Sequence, residues 1–168
     1  MAVLLIDGLN LIRRIHAGVP DTAEDRDDGV LKACVASVRR ALRRHHPSHV
    51  ILVMEGEELS WRSLEYPDYK KNRVAMPADL RASLPAILAA FAGIGVNALS
   101  AEGFEADDLI GSIAARTAAK GVSVVILSTD KSFCQLVCDH IGVHDHFNDL
   151  EHDSFWIRNR FGVEPVQL

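Results

Sequence analysis

Three carboxylates fall within four residues in the segment Glu105-Ala106-Asp107-Asp108, where a strand-like run gives way to a helical one. Anions this close repel one another, so such a group usually needs a cation nearby. Asp7, Glu55 and Asp130 each follow another apolar run. We expect all of these acids to meet in one pocket, and Mg²⁺ or Mn²⁺ suits such a pocket because both ions prefer oxygen ligands. The pattern therefore predicts divalent-metal chemistry on a phosphate.

The segment Glu105–Asp108, which we call the acidic tetrad, has two interpretations. Three residues apart in a helix, Glu105 and Asp108 share one face, and Asp107 lies about 100° round from Asp108. In the first helical turn, the helix dipole offsets part of their repulsion. The alternative is that Asp107 or Asp108 caps the helix while the other acids face solvent. The strand-end acids favour the metal site over this alternative.

Residues 57–76 show no sustained periodicity, but basic and aromatic residues interleave in them. A segment of this length without regular structure is more often functional than filler. Lys70 and Arg73 are the better candidates for a phosphate contact, Lys as a point charge and Arg as a fork. Tyr66 and Tyr69 either stack on exposed bases or pack beneath the segment.

The composition is that of one domain with a real core, since 48% of the 168 residues are hydrophobic. A net charge of −5 excludes a protein that is basic throughout. One acidic pocket with separate basic patches nevertheless suits a polyanion handled around a metal site. The arginines within residues 39–44 form one such cluster, which is more typical of a solvated helix end.

No apolar run approaches the roughly 18 residues of a membrane span, and the first residues lack the features of a signal peptide. The three cysteines are odd in number and lie in helix-like patterns, which predicts reduced thiols in a cytoplasmic protein. A zinc cluster is disfavoured because its spacing matches no ligand pattern. Its members would be Cys134, Cys138, His140, His144 and His146.

Alternating strand-like and helical segments must position these residues. Strands are predicted at residues 3–6, 50–54, 96–99, 122–127 and 141–143. Helices are predicted at residues 9–16, from 30 to before Pro47, at 77–84 and 86–91 on either side of Pro85, from the tetrad to Gly121, at 133–137 and at 154–160. Residues 21–28 are predicted to form an acidic loop.

This alternation predicts an α/β fold, a three-layer doubly wound and mainly parallel sheet with helices on both faces. In such folds the active crevice lies beyond the carboxyl ends of the strands. Acids at four strand ends, all at one edge of the sheet, indicate a metal site more strongly than any single acid does.

Four motifs follow one another along the chain. They are Asp7-Gly8-Leu9-Asn10 with Arg14, Tyr66-Pro67-Asp68-Tyr69-Lys70-Lys71-Asn72-Arg73, Gly103-Phe104-Glu105-Ala106-Asp107-Asp108, and Ser128-Thr129-Asp130-Lys131 with Gln135-Leu136. In order and spacing they resemble the motifs of the bacterial 5′-nuclease family, and the first helix is most similar to the exonuclease IX branch. The match covers nearly the whole chain.

The resemblance implies a PIN-like, 5′-3′ exonuclease N-terminal resolvase-like domain that uses Mg²⁺ or Mn²⁺ to hydrolyse DNA near 5′ ends and flaps. It implies catalytic roles for Lys70 and Arg73 at the scissile phosphate. The implied metal ligands are Asp7, Glu55, Glu105, Asp107, Asp108 and Asp130. The implied DNA contacts are Arg14, Tyr69, Lys70, Lys71 and Arg73. Protein partners are not indicated, and no membrane association is expected.

The chain departs from the family pattern at three points. Glu55 replaces the usual Asp at the end of the second strand and reaches one methylene further. Ser132 stands where the family has a second Asp, so one acidic ligand is missing. Residues 1–168 are expected to be the catalytic domain alone, without the helix-hairpin DNA-binding region that follows in relatives. We therefore expect one well-held ion.

Other functions stay open at this stage. A DNA-binding relative that kept the fold and lost catalysis would fit the missing acid. A PIN-type ribonuclease uses a similar acidic pocket. An aspartyl phosphatase is disfavoured, because Leu9 occupies the place of its second strand-end Asp.

Overall fold

The computed structural model describes residues 1–20 and 25–168. The strands are β1 Ala2–Asp7, β2 His49–Val53, β3 Ala98–Leu99, β4 Ser123–Leu127, β5 Ile141–Asp145 and β6 Leu150–His152. The helices are α1 Gly8–Gly18, α2 Arg26–His45, α3 Trp61–Glu65, α4 Ala78–Ala92, α5 Ala106–Ala118 and α6 Ser154–Phe161. Two 3₁₀ helices cover Lys131–Leu136 and Pro165–Gln167.

The six strands form one sheet in the order β3-β2-β1-β4-β5-β6. The first five are parallel, and β6 runs antiparallel to β5. β1 lies between β2 and β4, where successive connections leave the sheet in opposite directions. Such a switch point opens a crevice at the carboxyl ends of the strands. Asp7 ends β1 there, and Asp130 follows β4 at the same edge.

Helices cover both faces of the sheet, as the predicted three-layer fold requires. In β1, Leu4 and Ile6 point to one face, and Leu5 points to the other. The first face packs against α1, α2 and α4. The second packs against α5, α6 and the first 3₁₀ helix. Because β1 is buried on both faces, its sequence reads as a continuous apolar run.

Gly8 fixes the place where β1 passes into α1. A Cβ at this position would stand 2.4 Å from Met54 Sδ and 2.9 Å from the carbonyl oxygen of Val53. The residue after Asp7 must therefore lack a side chain. This close approach of the β1 and β2 ends sets the position of Asp7 at the sheet edge.

Pro85 does not break its helix, which corrects one prediction. α4 runs unbroken from Ala78 to Ala92 with Pro85 inside it. Pro85 is solvent-exposed, so water can satisfy the carbonyl left without a donor one turn earlier. The buried side of the helix, with Leu80, Ile87 and Phe91, stays continuous.

The structure differs from the predicted elements at three further points. Residues 57–76 contain the short helix α3, and the antiparallel strand β6 was not foreseen. In the acidic stretch at residues 21–28, residues 21–24 lie outside the described part of the chain, and α2 already begins at Arg26. None of the helices in the described residues is both long and apolar enough to cross a membrane.

Candidate active site

A cavity of about 430 Å³ opens at the carboxyl edge of the sheet, beside the ends of β1 and β4. It combines acids from three strand ends and one helix start with several basic side chains. Its lining residues are Asp7, Leu9, Asn10, Arg13, Arg14, Glu55, Tyr69, Lys70, Arg73, Ala106, Asp107 and Asp130.

Asp7 is the most deeply placed acid in this cavity, with only 6% of its surface exposed. Its Oδ1 accepts a hydrogen bond from the Asn10 backbone N–H (3.2 Å), and its Oδ2 accepts one from Ser128 Oγ (2.7 Å). The pKa of Asp7 is raised to about 6, mainly by burial and to a smaller extent by the charges of Asp107 and Asp130, while the two hydrogen bonds oppose the rise. A cation bound here would remove that penalty.

Asp107 and Asp130 approach Asp7 from α5 and from the end of β4. Burial raises the pKa of Asp107, and the charge of Asp130 adds to the effect. Asp130 caps the first 3₁₀ helix, because its Oδ1 accepts the Ser132 backbone N–H at 2.8 Å. Within residues 1–20 and 25–168, none of these three acids forms an ion pair. We call Asp7, Asp107 and Asp130 the open group.

Glu105 and Asp108 are in a different electrostatic state. The two nitrogens of Arg62 donate to the two oxygens of Asp108 at 2.6 and 2.7 Å, which lowers the pKa of Asp108. Burial acts to raise the pKa of Glu105, but hydrogen bonds from Lys70 Nζ (2.9 Å) and Tyr69 Oη (3.0 Å) lower it overall. We call Glu105 and Asp108 the paired group.

Helix capping accounts for the placement of two of the tetrad's three acids. Glu105 is the N-cap residue of α5, and its backbone N–H donates to Asp108 Oδ2 at 3.2 Å. The two side chains form a reciprocal capping box. Both interpretations of the tetrad therefore hold in part, since Asp108 serves the helix end and Asp107 faces the cavity.

Lys70 and Arg73 reach the cavity from the segment that follows α3. Lys70 holds Glu105, and Arg73 Nη1 lies 3.3 Å from Glu55 Oε1. Lys70 has a φ of 55°, a left-handed conformation that is uncommon for a residue with a side chain. Residues held in this way cluster at functional sites. Both cations are therefore paired with carboxylates at or beside the cavity.

The predicted DNA contacts divide between the cavity and its surroundings. Arg14 lines the cavity, donates to Thr129 Oγ1 (3.1 Å) and stands 5.3 Å from the centroid of the Phe147 ring. Tyr69 also lines it. Lys71 does not, because its ammonium is exposed and pairs with Asp68 at 2.8 Å. Tyr66 is exposed outside the cavity.

The sequence did not single out four residues that matter here. Ser128 bonds Asp7, and Asn10 Oδ1 accepts the Thr129 backbone N–H at 3.2 Å. Arg13 lines the cavity beside Arg14. Arg62 is engaged with the paired group. Ser128 and Asn10 lie inside recognised motifs, so their place next to strand-end acids was a usable signal, whereas Arg62 carried no such signal.

The donor set fits a hard divalent cation. The open group presents carboxylate oxygens without an ionic partner, and Glu55 stands at its margin. In the described part of the chain, no three Asp, Glu, His or Cys side chains are arranged to enclose an ion as they stand. Of the disfavoured zinc residues, Cys134 lies in the core beside α5, whereas His144 and His146 lie together with ring centroids 6.1 Å apart, and His144 contacts His45 at the end of α2.

Comparison with known proteins places the chain in a family. The family model described as 5′-3′ exonuclease, N-terminal resolvase-like domain, matches residues 2–162. The chain belongs to this family. The resemblance read from the four motifs is thereby confirmed.

Relatives of this resolvase-like family align along almost the whole chain. Flap endonuclease Xni of Aeromonas hydrophila is 41% identical over 169 residues, which is 99% of this chain and 63% of that protein. Flap endonuclease Xni of Shewanella sp. strain ANA-3 is 42% identical over 165 residues, 98% of this chain and 62% of that protein. The chain thus spans less than two-thirds of the length of these relatives.

Solved structures confirm the resolvase-like fold. The T5 D15 protein co-crystallised with metal ions has a TM-score of 0.79 at 16% identity, over 99% of this chain and 64% of that one. T5 5′-exonuclease with bound zinc ions has a TM-score of 0.81 at 16% identity, with the same coverage. The predicted three-layer, mainly parallel fold is therefore correct.

Proposed function

We propose that this chain is the catalytic domain of a 5′-nuclease that uses Mg²⁺ or Mn²⁺ to hydrolyse DNA phosphodiester bonds near 5′ ends and at flaps. One observation carries the proposal. The open group, whose three carboxylates have no ionic partner among the described residues, lines the same cavity as Lys70 and Arg73. Anionic ligands for a cation and cationic ligands for a phosphate thus line one space.

The open group would hold the cation. Asp7 is fixed by Asn10 and Ser128, so its carboxylate stays at the carboxyl edge of the sheet while Asp107 and Asp130 approach it. Glu55 is the further candidate ligand. Glu105 would be a more remote ligand, because Lys70 and Tyr69 already hold its carboxylate. A bound divalent cation would supply the positive charge that activates water and polarises the phosphate.

Lys70 and Arg73 would bind the scissile phosphate. Their present partners, Glu105 and Glu55, are carboxylates at ion-pair distance, and the two non-bridging oxygens of a phosphodiester are anionic acceptors of the same kind. As negative charge grows in the transition state, these two cations would stabilise it without a large rearrangement. The substrate would thus be drawn in by the same groups that promote its cleavage.

Arg14 and Tyr69 would guide the strand into the cavity. Arg14 stands on α1 at the cavity wall, and its guanidinium is oriented by Thr129. Lys71 would contact the phosphate backbone outside the cavity, after release from Asp68. The candidate DNA contacts therefore lie partly at the cavity and partly on the segment that leads to it.

The proposal is tested with a 5′-flap DNA substrate in the presence of Mn²⁺. We expect cleavage that is abolished by a chelator and reduced about 10²-fold or more by Asp130→Asn. Asp139→Asn is the matched control, because Asp139 is exposed just before β5, at the opposite edge of the sheet. The control should cleave like the unmodified chain.

Two results would contradict this function and identify an alternative. Binding of flap DNA, measured by fluorescence anisotropy, without cleavage at any Mn²⁺ or Mg²⁺ concentration would indicate a non-catalytic relative. Faster cleavage of single-stranded RNA than of flap DNA would indicate a PIN-type ribonuclease.

A further inference from the structure

Arg62 forms the tightest ionic contact of the acidic tetrad. Its two terminal nitrogens meet both oxygens of Asp108, at 2.6 and 2.7 Å, and Nη1 also lies 3.4 Å from Glu105 Oε2. This two-pronged arrangement is the strongest form of a side-chain ion pair. One monovalent cation therefore already serves both acids of the paired group.

The surroundings hold Arg62 in this position. Its guanidinium lies 4.6 Å from the centroid of the Trp61 ring, where a cation–π contact is favourable. The Trp61 backbone N–H donates to the Gly103 carbonyl oxygen at 2.9 Å, which ties the start of α3 to the segment before α5. Ser60 Oγ lies 3.4 Å from Glu105 Oε1. The contact with Asp108 is thus built into the fold.

A second cavity, of about 390 Å³, lies beside this ion pair. Its lining includes Arg62, Asp107, Asp108 and Ser132. Asp107 lines both cavities, so the second is the natural place for an ion that would share Asp107 with the first. Ser132 contributes a neutral hydroxyl where a further acid would strengthen a cation site.

We infer that the Arg62 guanidinium takes the place of a second divalent ion, so that the site holds one. Both oxygens of Asp108 are engaged by Arg62, and one of them also accepts the Glu105 backbone N–H. An ion at Asp108 would stand next to a fixed positive charge and would gain no acid from Ser132. The inference rests on the proposed function in one respect, namely that the open group binds the first ion.

The experiment is a titration of the metal-free protein with Mn²⁺, followed by calorimetry and by electron paramagnetic resonance. We expect one bound ion in the unmodified chain and two in Arg62→Gln. Two Mn²⁺ ions that share Asp107 lie within about 4 Å of each other and give a spin-coupled spectrum. Adding Ser132→Asp to Arg62→Gln should tighten the second ion about tenfold, because the site gains an anionic ligand.

Two controls separate the charge of Arg62 from its structural role. Arg62→Lys keeps a cation beside Asp108 and should bind one ion. Ser132→Asp alone alters an exposed residue and should also bind one ion, because Arg62 still holds Asp108. This second control remains informative even where loss of Arg62 prevents folding.

Two ions in the unmodified chain, in Ser132→Asp alone or in Arg62→Lys would each overturn the inference. A single ion in folded Arg62→Gln would also overturn it, with or without Ser132→Asp. Absence of any Mn²⁺ binding would instead contradict the proposed function, since that result removes the first ion.

Discussion

The open group and the paired group consist of the same kind of residue at the same edge of the sheet, yet they are opposite in electrostatic state. Burial raises the pKa values of Asp7 and Asp107 in the open group. In the paired group, the pKa values of Glu105 and Asp108 are lowered by Lys70, Tyr69 and Arg62. Among the described residues, no acid of the first group forms an ion pair, whereas both acids of the second group do.

The contrast is sharpest between neighbours in sequence. Asp107 and Asp108 are consecutive in the first turn of α5, so a rotation of about 100° separates their side chains. One turns to the cavity of the open group, and the other turns to Arg62 on α3. The number of acids in a motif therefore does not give the number of metal ligands, because the surrounding cations decide which acids are available.

Replacing each neighbour by its amide gives the largest expected difference. Asp107→Asn should reduce flap cleavage about 10³-fold, because it removes a carboxylate that has no other partner. Asp108→Asn should reduce cleavage about tenfold or less, through altered placement of Arg62 and α3. The measurement is kcat on flap DNA at saturating Mn²⁺.

Folding must be matched before these rates are compared. Circular dichroism and thermal unfolding of both variants would provide that control. Equal losses in the two variants would show that the difference between the groups has no bearing on catalysis. A larger loss in Asp108→Asn would reverse the comparison.

The sequence was sufficient to expect Asp7 and Asp130 at one edge of the sheet, because both acids follow continuous apolar runs. A parallel strand buried on both faces has a readable end, and Asp7 and Asp130 stand at such ends. The ion pairing of the paired group could not be predicted from the sequence, because it depends on Arg62, which is 46 residues from Asp108. The unbroken helix at Pro85 was missed for a related reason, because exposure of that residue is a tertiary property.

A second expected difference concerns pH and the stability of the metal-free protein. Asp7 retains its proton to about pH 6 in the folded state, and its ordinary pKa is 3.8. Between these values the folded chain binds more protons than the unfolded chain, so the free energy of unfolding falls as pH rises. Asp7→Asn should remove that fall and be more stable above pH 6 by about 3 kcal/mol.

Urea denaturation in the presence of a chelator, at pH 3.5 and at pH 7.5, measures this difference. The two proteins should have similar stability at the lower pH. Addition of Mn²⁺ at pH 7.5 should stabilise the unmodified chain and leave Asp7→Asn unchanged. If Asp7→Asn is less stable at pH 7.5 without metal, the open group does not carry an uncompensated charge.

The smallest expected effect lies in the paired group and decides between two interpretations of Tyr69. Its hydroxyl donates to Glu105 Oε2 at 3.0 Å, and its ring centroid lies 5.2 Å from Lys70 Nζ. Tyr69→Phe removes one partly buried hydrogen bond to a carboxylate and should lower the free energy of unfolding by about 1 kcal/mol. Tyr66→Phe is the matched control and should have no effect, because the Tyr66 side chain is 70% exposed. Unchanged stability in Tyr69→Phe, together with weaker binding of single-stranded DNA by Tyr69→Leu, would assign Tyr69 to base stacking alone. The expected loss of stability in Tyr69→Phe would show that Tyr69 also supports the paired group.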